Sequence, residues 1–501
     1  METYASLKNR GIEPKKEDFT GNYPQIIERF LYNLDKETVE VLRLLSIPNF
    51  YNEELFSLLI KKYNISFPMT EFEQFNKYSF VTLSKNDEEF YIHNLMRREM
   101  NDKTANSVLK TVHELLLQYY AEQVSTKIRT KNILEMFYHA KELFSVCEYN
   151  EWVNTSLVEG CDKSPLVILK NLQKAGEQNV LYQILNGINL KYNQEDLLLD
   201  LINVMIDIVH LGGEYDRAVA MCEKYLSQYS EAEILEDAQL LKMRIRKIHH
   251  SMFYKPVKGL IAEAEMLLKR VDMVRFHEQY NELLFLLGGN LGLLYGDYQY
   301  AEKWLDMSMA YAIKHDLNDF KHRTIRKQAD VFLANDKFCA SFSLVDGIVN
   351  VNMELNAIDS RYKIYLMGVL GEIYRKQNKL EEAYICYEKL RLKAAEQNIP
   401  GWEAHAYLAL GLTMLMKEQF DIAKAYLEKA LLIYSRINQK WGIINSQEAL
   451  ILMDKKNGIN IQKQVVADCK AVAIKMNYQY NIRIAEQIEN GEEPYLQLFF
   501  L

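Results

Sequence analysis

The candidate catalytic or metal-binding residues are histidines that lie next to other polar groups. His249 and His250 are adjacent, and His277 is followed by Glu278. Two metal ligands on one helix face are normally four residues apart, and none of these three histidines has a ligand-type residue at that distance. No serine–histidine–aspartate, cysteine–histidine or paired-carboxylate arrangement stands out either. The sequence therefore predicts no catalytic residue, no metal site and no cofactor, and it favours a protein that is not an enzyme.

Net charge and cysteine usage indicate the cellular compartment and the classes of partner. The net charge is −8 and the isoelectric point is about 5.8, which gives no general attraction to nucleic acid or anionic membrane. No signal peptide or transmembrane run occurs. The cysteines lie far apart with no CxxC pair, which is typical of a reducing compartment. We therefore expect a cytoplasmic protein without membrane or nucleic-acid partners. The cysteines are Cys147, Cys161, Cys222, Cys339, Cys386 and Cys469.

The elements that would position polar groups are repeated helix pairs. Gly371 and Ala383 recur forty residues later as Gly411 and Ala423. A small residue in the first helix allows the second helix to approach, and the alanine lies where the two cross. Because one pair cannot bury its apolar face alone, copies must stack. The pattern resembles the tetratricopeptide repeat (TPR).

Further copies predict a long repeat array. The period is roughly 40 residues against 34 in the ordinary TPR, so we expect longer helices or longer loops. A mainly α protein follows, with a right-handed TPR-like α-solenoid over residues 196–490. A helical connector at 121–195 precedes it and an apolar tail at 491–501 follows, either as a cap or as a docking strip. The predicted crossing positions are Ala218, Ala262, Ala301, Ser341, Ala383 and Ala423.

The concave side of such a solenoid is the expected binding surface. Its first helices should project mixed charges and amides, which suit a peptide or protein ligand held by hydrogen bonds. The competing interpretation is that these side chains only solvate the inner wall. The candidate groove residues are Asn203, Asp207, His210, Asn290, Arg326, Asp330, Glu372, Arg375 and His405.

The N-terminal region has a different pattern. Residues 1–22 are polar and read as a linker. Residues 23–120 combine several short helices with alternating apolar residues at Tyr78–Leu83 and Phe90–His93, which predict a β-hairpin. Helices followed by a hairpin and another helix indicate a winged-helix domain. Arg97 and Arg98 follow the hairpin, but a DNA-reading face needs a larger basic cluster, so we expect a solvated or interface-forming pair.

This order resembles the C-terminal part of STAND ATPases, the family that includes the NB-ARC switch proteins. The resemblance covers roughly a hundred residues, from the YPQIIERFLYNL run to FYIHNLMRREM. It implies that His93 contacts the β-phosphate of ADP, provided that a nucleotide-binding domain is supplied. Asn94 departs from the family's usual aspartate. No phosphate-binding loop occurs in the sequence, so that domain would have been removed in cis or would act in trans.

The favoured function is a non-catalytic scaffold that senses a peptide or protein ligand. The repeat arm would bind the ligand and relay the event to the winged helix, as in STAND-like signalling in bacterial defence or regulation. One alternative is a peptide-pheromone-responsive TPR regulator that binds a response regulator or DNA; its helical N-terminal domain usually lacks a hairpin. Another alternative is an enzyme whose site is unrecognised, which shifted ionisable groups in one deep pocket would favour.

Overall fold

The computed structural model describes two compact units. The first comprises Met1–Pro165 with Asn186–Tyr192, and the second comprises Leu166–Leu185 with Asn193–Leu501. We call the second unit the arm. The residues that the structure describes are 23–84, 89–126, 129–156, 163–193, 196–335, 337, 339–345, 360–459 and 463–499.

The first unit is helical with one hairpin. Its strands are β1 (Val81–Leu83) and β2 (Phe90–Ile92), paired antiparallel with Thr82 opposite Tyr91. The predicted hairpin is confirmed, with shorter strands than expected, and the predicted turn residues 85–87 lie outside the described residues. The helices are α1 (Tyr23–Tyr32), α2 (Lys36–Leu45), α3 (Glu53–Lys62), α4 (Phe72–Phe75), α5 (Asn94–Asp102), α6 (Asn106–Thr126), α7 (Thr130–Leu143) and α8 (Val146–Thr155).

Aromatic side chains fill the space between the hairpin and the helices before it. Phe30 from α1 meets Phe80 edge to face at 5.5 Å, and Phe56 from α3 meets Phe75 at 5.9 Å. Such pairs add to the free energy of burial because their ring quadrupoles are complementary. The observed order, three helices, a short helix, a hairpin and α5, is the order that the sequence predicted. The assignment to the winged-helix class stays a prediction.

The arm is built from helices, most of which pack on a neighbour in the chain, and the end of its second helix, residues 186–191, belongs to the first unit. Among the described residues, no helix is long and apolar enough to cross a bilayer. The helices are α9 (Pro165–Ala175), α10 (Gln178–Lys191), α11 (Leu199–Leu211), α12 (Tyr215–Leu226), α13 (Glu231–Glu236), α14 (Ala238–Ser251), α15 (Val257–Leu268), α16 (His277–Phe285), α17 (Leu293–Tyr295), α18 (Tyr298–Lys314), α19 (Asn318–Ala334), α20 (Ser360–Lys376), α21 (Leu380–Glu396), α22 (Pro400–Met416), α23 (Phe420–Arg436), α24 (Lys440–Lys456), α25 (Lys463–Met476) and α26 (Gln479–Glu489), with a π-helical segment at Leu286–Gly292.

The long period comes from the helices. Helices α20 to α24 each have 17 residues, and a three-residue turn separates each from the next. The middle residue of each turn has a left-handed φ, as at Asn398 (54°) and Asn438 (55°). The N–H after it bonds back into the helix, from Ile399 to the Ala394 carbonyl and from Gln439 to the Tyr434 carbonyl. This is the Schellman arrangement, which satisfies carbonyls that a helix end would leave unpaired.

The predicted crossing residues are buried, with one exception. Ala218, Ala301, Ser341, Ala383 and Ala423 have no exposed surface, as close helix crossing requires. Ala262 is exposed on α15, and the prediction at that position is wrong. The buried residue there is Ala264, two positions later. An offset of two residues turns a side chain by about 200° around a helix, which exchanges the packed and solvated faces.

The arm closes on itself through contacts between its early turns and its late helices. The Lys440 N–H, at the start of α24, donates to the Phe253 carbonyl at 2.9 Å. Gly213 has a φ of 82° and lies against Ile437, and Gly296 lies against the start of α26. First-turn N–H groups have no partner within their own helix, so the Phe253 carbonyl satisfies a donor that would otherwise need water. The inner wall is therefore enclosed.

Substitution of Gly213 tests this closure. In Gly213→Ala the new Cβ would lie 2.6 Å from Ile437 Cγ2, whereas in Gly458→Ala it would meet nothing within 4 Å. Both glycines have a left-handed φ, so both substitutions share a backbone cost of about 1–2 kcal/mol. We expect Gly213→Ala to cost about 1–3 kcal/mol more, the usual cost of overpacking. Urea denaturation followed by circular dichroism measures the difference, and equal costs would show that the contact contributes nothing.

Candidate functional site

The predicted groove residues lie on the inner helices of the arm and are mostly removed from water. Asp207 and His210 are half-buried, and the other candidates are buried. Their burial shows that most of them are not solvated on an open inner wall, and whether they bind a ligand stays a prediction. Those buried are Asn203, Asn290, Arg326, Asp330, Glu372, Arg375 and His405.

An ion pair and an amide link α11 to α14. Arg246 donates from Nε to Asp207 Oδ1 at 2.5 Å and from Nη1 to Asn203 Oδ1 at 3.0 Å. Burial alone would raise the pKa of Asp207, but the Arg246 guanidinium outweighs it and the pKa is lowered. The carboxylate therefore stays charged and directs the guanidinium along the inner wall.

A second ion pair follows on the next helices. Arg323 on α19 donates to both carboxylate oxygens of Glu282, at 2.9 and 2.7 Å, and its guanidinium lies 4.4 Å above the Phe285 ring. Here too the arginine outweighs burial and lowers the pKa of the glutamate. Bidentate pairs of this kind fix geometry as well as charge.

Further charges on α19 are deeply buried. Burial lowers the pKa of Lys327, helped by repulsion from Arg326, and burial raises the pKa of Asp330. The π-helical segment makes room for the lysine, since a Cβ on Gly289 would lie 2.9 Å from Lys327 Cγ. The inner wall thus carries acidic and basic groups whose charge states depend on one another.

The fourth charged group, on α20, binds the end of the chain. Arg375 donates to Glu372 from Nε at 2.9 Å and from Nη2 at 2.7 Å, and Tyr387 donates to the same carboxylate at 3.0 Å. Arg375 Nη2 also donates to the Leu496 carbonyl. Glu372 Oε1 accepts from the Tyr495 hydroxyl at 3.0 Å. The two charges neutralise each other, and both side chains also form hydrogen bonds with a third segment of the chain.

This segment, Tyr495–Phe499, is extended, and we call it the tail. The Tyr480 hydroxyl accepts the Gln497 N–H at 2.5 Å and donates to the Tyr495 carbonyl at 3.4 Å. The Phe499 ring packs between Trp441 and Tyr480 and is fully buried. The sequence left open a cap or a docking strip. The tail covers the arm, and its contacts extend beyond the last helix pair to α20 and α24. Its predicted residues Phe500 and Leu501 lie outside the described residues.

A cavity opens beside the tail, with about 420 Å³ of empty space, counting the part that joins solvent. It draws residues from early and late helices, and sequence reasoning missed it because closure of the arm creates it. An aromatic wall with a few convergent polar groups is the usual composition of a ligand site. The lining residues are His210, Leu211, Tyr215, Phe253, Ile399, Gly401, Trp402, His405, Tyr434, Gln439, Trp441 and Phe499.

Three histidines form the group that could hold a metal ion among the described residues. Ring nitrogens of His210, His249 and His250 lie within 4.8 Å of one another. Burial lowers the pKa of all three, which leaves neutral imidazoles. The His210 and His250 rings are stacked at 4.1 Å, so they present faces and not converging edges to each other. A spacing of four residues along one helix cannot reveal this cluster, since His210 comes from another helix.

The other histidine singled out from the sequence, His277, contacts aromatic rings. His277 Nδ1 lies 2.8 Å from the Tyr311 hydroxyl, and its ring stacks on His315 at 4.1 Å. Neither contact involves the adjacent Glu278. Helical neighbours point about 100° apart, so adjacency in sequence does not bring two side chains to one substrate.

The residues of interest in the first unit have local partners. His93 is exposed at the start of α5, and its Nδ1 accepts the Leu95 N–H at 3.3 Å. Arg97 donates to the Ser46 and Ile47 carbonyls, at the end of α2, while Arg98 is highly exposed. Arg97 therefore caps the end of α2, which is consistent with the prediction of an interface-forming residue. Whether His93 senses a nucleotide stays a prediction.

Comparison with known proteins adds little to this geometry. No protein-family model matches the chain, and no curated protein matches. The chain is similar to the structure of a STAND protein with a tetratricopeptide repeat sensor from Pyrococcus horikoshii, at 13% identity and a TM-score of 0.35, over 84% of this chain and 68% of that one. It is also similar to the APC/C Cut9–Hcn1 hetero-tetramer, at 12% identity and a TM-score of 0.34, over 97% and 92%. At these scores the likeness carries no argument, and the fold rests on the helices described above.

Proposed function

We propose that the arm is a non-catalytic protein-interaction scaffold whose enclosed inner wall binds an extended peptide segment of a partner protein. One observation carries this. The wall already holds an extended segment, the tail, through side chains that bond to its backbone carbonyls and N–H groups. Recognition of backbone groups by side chains is how an extended ligand is held without a sheet edge.

The arginine-bound carboxylates of the inner wall fit binding better than reaction. Asp207 and Glu282 are each held by an arginine, and Glu372 is held by Arg375 and Tyr387. A general base needs a free lone pair and a pKa near the working pH, and these carboxylates are committed to arginines. The groove candidates predicted from sequence therefore act in this proposal by fixing the wall, with Glu372 and Arg375 in direct contact with the ligand.

The first unit would receive the signal. We propose that it is a winged-helix switch in a STAND-like cytoplasmic signalling protein, with His93 available to a nucleotide-binding domain supplied in cis or in trans. The β1–β2 hairpin supports this over the peptide-pheromone regulator, whose N-terminal domain usually lacks a strand pair. Ligand binding can move such a switch only if the ligand favours one of its positions. Spin labels on the two units should change their separation when ligand saturates the arm, and an unchanged distance would remove the relay.

A displayed library of twelve-residue peptides tests the binding role. Selected peptides should bind the intact chain saturably, and hydrogen exchange should slow in the inner helices α20, α22 and α24 on binding. Protection of the outer helices α21 and α23 alone would contradict the proposal, as would a library that yields no peptide. Lys424→Ala is the matched control, because this lysine is exposed on α23 and its loss should leave the affinity unchanged.

A further inference from the structure

The tail differs from an ordinary cap in how its backbone is held. The Leu496 carbonyl is bound by Arg375, the Gln497 N–H by Tyr480, and the Leu498 N–H by Glu372 at 3.4 Å. These partners belong to α20 and α26, which are more than a hundred residues apart in sequence. A cap needs only an apolar surface, whereas this site forms hydrogen bonds with the backbone of three consecutive residues. The Phe499 ring also lies 6.1 Å from the Tyr298 ring, and we call Glu372, Arg375, Trp441, Tyr480 and Tyr298 the tail site.

The tail fits its site imperfectly. Its Gln497 is buried, yet its Oε1 has no hydrogen-bond partner in the described part of the chain, and its Nε2 reaches only the neighbouring Leu498 carbonyl at 3.3 Å. A buried amide oxygen without a partner costs free energy that an apolar side chain would not. A different segment with an apolar residue at this position would bind the same site more tightly.

The site also extends beyond the tail. The cavity beside Phe499 continues past that ring towards Trp402, His405 and Gln439. Gln439 is buried and its Oε1 has no hydrogen-bond partner among the described residues. An opening next to an unpaired polar atom can admit a donor that the tail does not supply. The described tail thus fills only part of what the wall offers.

We propose that the tail is an intramolecular competitor for the peptide site of the arm, and that the partner is an extended, uncharged segment of another protein. This rests on the proposed function and names its ligand class. The partner segment places apolar side chains where Leu496 and Leu498 lie and an aromatic ring where Phe499 lies. A charged residue is excluded because Glu372 and Arg375 already neutralise each other, and burying a further charge is costly.

Two substitutions within the intact chain test this in opposite directions. The probe is a fluorescein-labelled synthetic peptide with the sequence of residues 494–501, preceded by two lysines for solubility. Phe499→Ala removes the buried anchor of the tail, so the probe should bind at least tenfold more tightly than to the unchanged chain. Gln497→Leu improves the tail, so the probe should bind more weakly. Leu432→Ala, an exposed apolar residue on α23, is the matched control and should change nothing.

Fluorescence anisotropy gives the affinities, while circular dichroism and size-exclusion chromatography show that each variant is folded and monomeric. No saturable binding of the probe to folded Phe499→Ala would overturn the proposal. A tail-exchanged dimer would overturn it as well, since the occupant would then be a second copy. If library peptides still protect the inner helices while the probe fails, only this inference falls. If neither binds, the proposed function falls with it.

Discussion

Replacement of Arg375 by methionine is expected to lower the free energy of unfolding by about 3–5 kcal/mol, because it leaves a buried carboxylate without its partner. Arg375 and Glu372 are only 2% and 3% exposed, and the guanidinium is the cation bonded to this carboxylate. Burial alone would lower the pKa of Arg375, but Glu372 outweighs it and the pKa is raised. The two tyrosine donors that remain on Glu372 stabilise its charge only in part.

The chain offers a matched control one helix later. Arg391 donates to Glu388 with the same three-residue spacing and the same two-point geometry, but the two side chains are 21% and 29% exposed. Arg391→Met should therefore cost about 0–1 kcal/mol, the usual value of a solvated pair. The double variant Glu372→Gln with Arg375→Met should recover part of the loss, since no unpaired charge remains. Urea denaturation and hydrogen exchange of α20 provide the measurements, and equal losses at the two arginines would refute the argument.

Acidification from pH 7 to pH 5 is expected to destabilise the arm by several kcal/mol. Burial lowers the pKa of His210 and His405 to about 3 and that of His249 to about 4, and it lowers the pKa of His250 as well. Unfolded histidine has a pKa of about 6.5. These groups therefore contribute stability that is fully present above pH 6.5 and is lost as the pH falls towards their folded values. At pH 5 each costs about 2 kcal/mol.

The charged groups around these histidines set the size of the net effect. His249 and Arg246 repel a proton on His210, while Asp207 attracts it; Lys327 and Arg375 repel a proton on His405. Two buried carboxyl groups act in the opposite sense, because burial raises the pKa of Asp330 to about 6 and also raises that of Glu448. They take up protons in the folded state and offset about 1 kcal/mol or more of the loss.

A single substitution isolates the histidine contribution. His405→Gln removes one titrating group, so the loss between pH 7 and pH 5 should shrink by about 2 kcal/mol. His322→Gln, on the exposed face of α19, is the control and should leave the loss as it was. Free energies of unfolding from urea titrations at pH 7, 6 and 5 decide the matter. A stability that does not change with pH would show that these imidazoles are hydrated in solution.

The repeats were predictable because their cause is local. Gly371 lies where a Cβ would come within 2.5 Å of the Tyr387 ring, and Ala383 is fully buried, so each small residue marks a close approach between neighbouring helices. The hairpin was predictable for a similar reason, since alternation of side chains is a property of one short segment. The prediction at Ala262 was wrong because Ala264, two positions later, is equally small, and spacing does not show which of the two lies at the crossing.

The candidate site was predictable only in part. Helical spacing placed Glu372, Arg375 and His405 on inner helices, and the structure has them there. Spacing cannot show that Lys440 meets Phe253, because that contact depends on the angle that each repeat adds to the next. Enclosure of the wall, the stacking of His210 on His250 and the place of the tail all follow from this long-range closure. They had no signal in any short stretch of sequence.

The uniform spacing of helices α20 to α24 restricts how such an arm can change in length. Each helix with its turn takes twenty residues, and inner and outer helices alternate. Duplication of one twenty-residue module would turn every later helix inside out, exposing apolar side chains and burying lysines. Duplication of a forty-residue module would keep the faces but would displace the starts of α24 and α26 from the turns they meet. Descendants of this chain would therefore diversify by substitution inside the arm, with the number of its modules held constant.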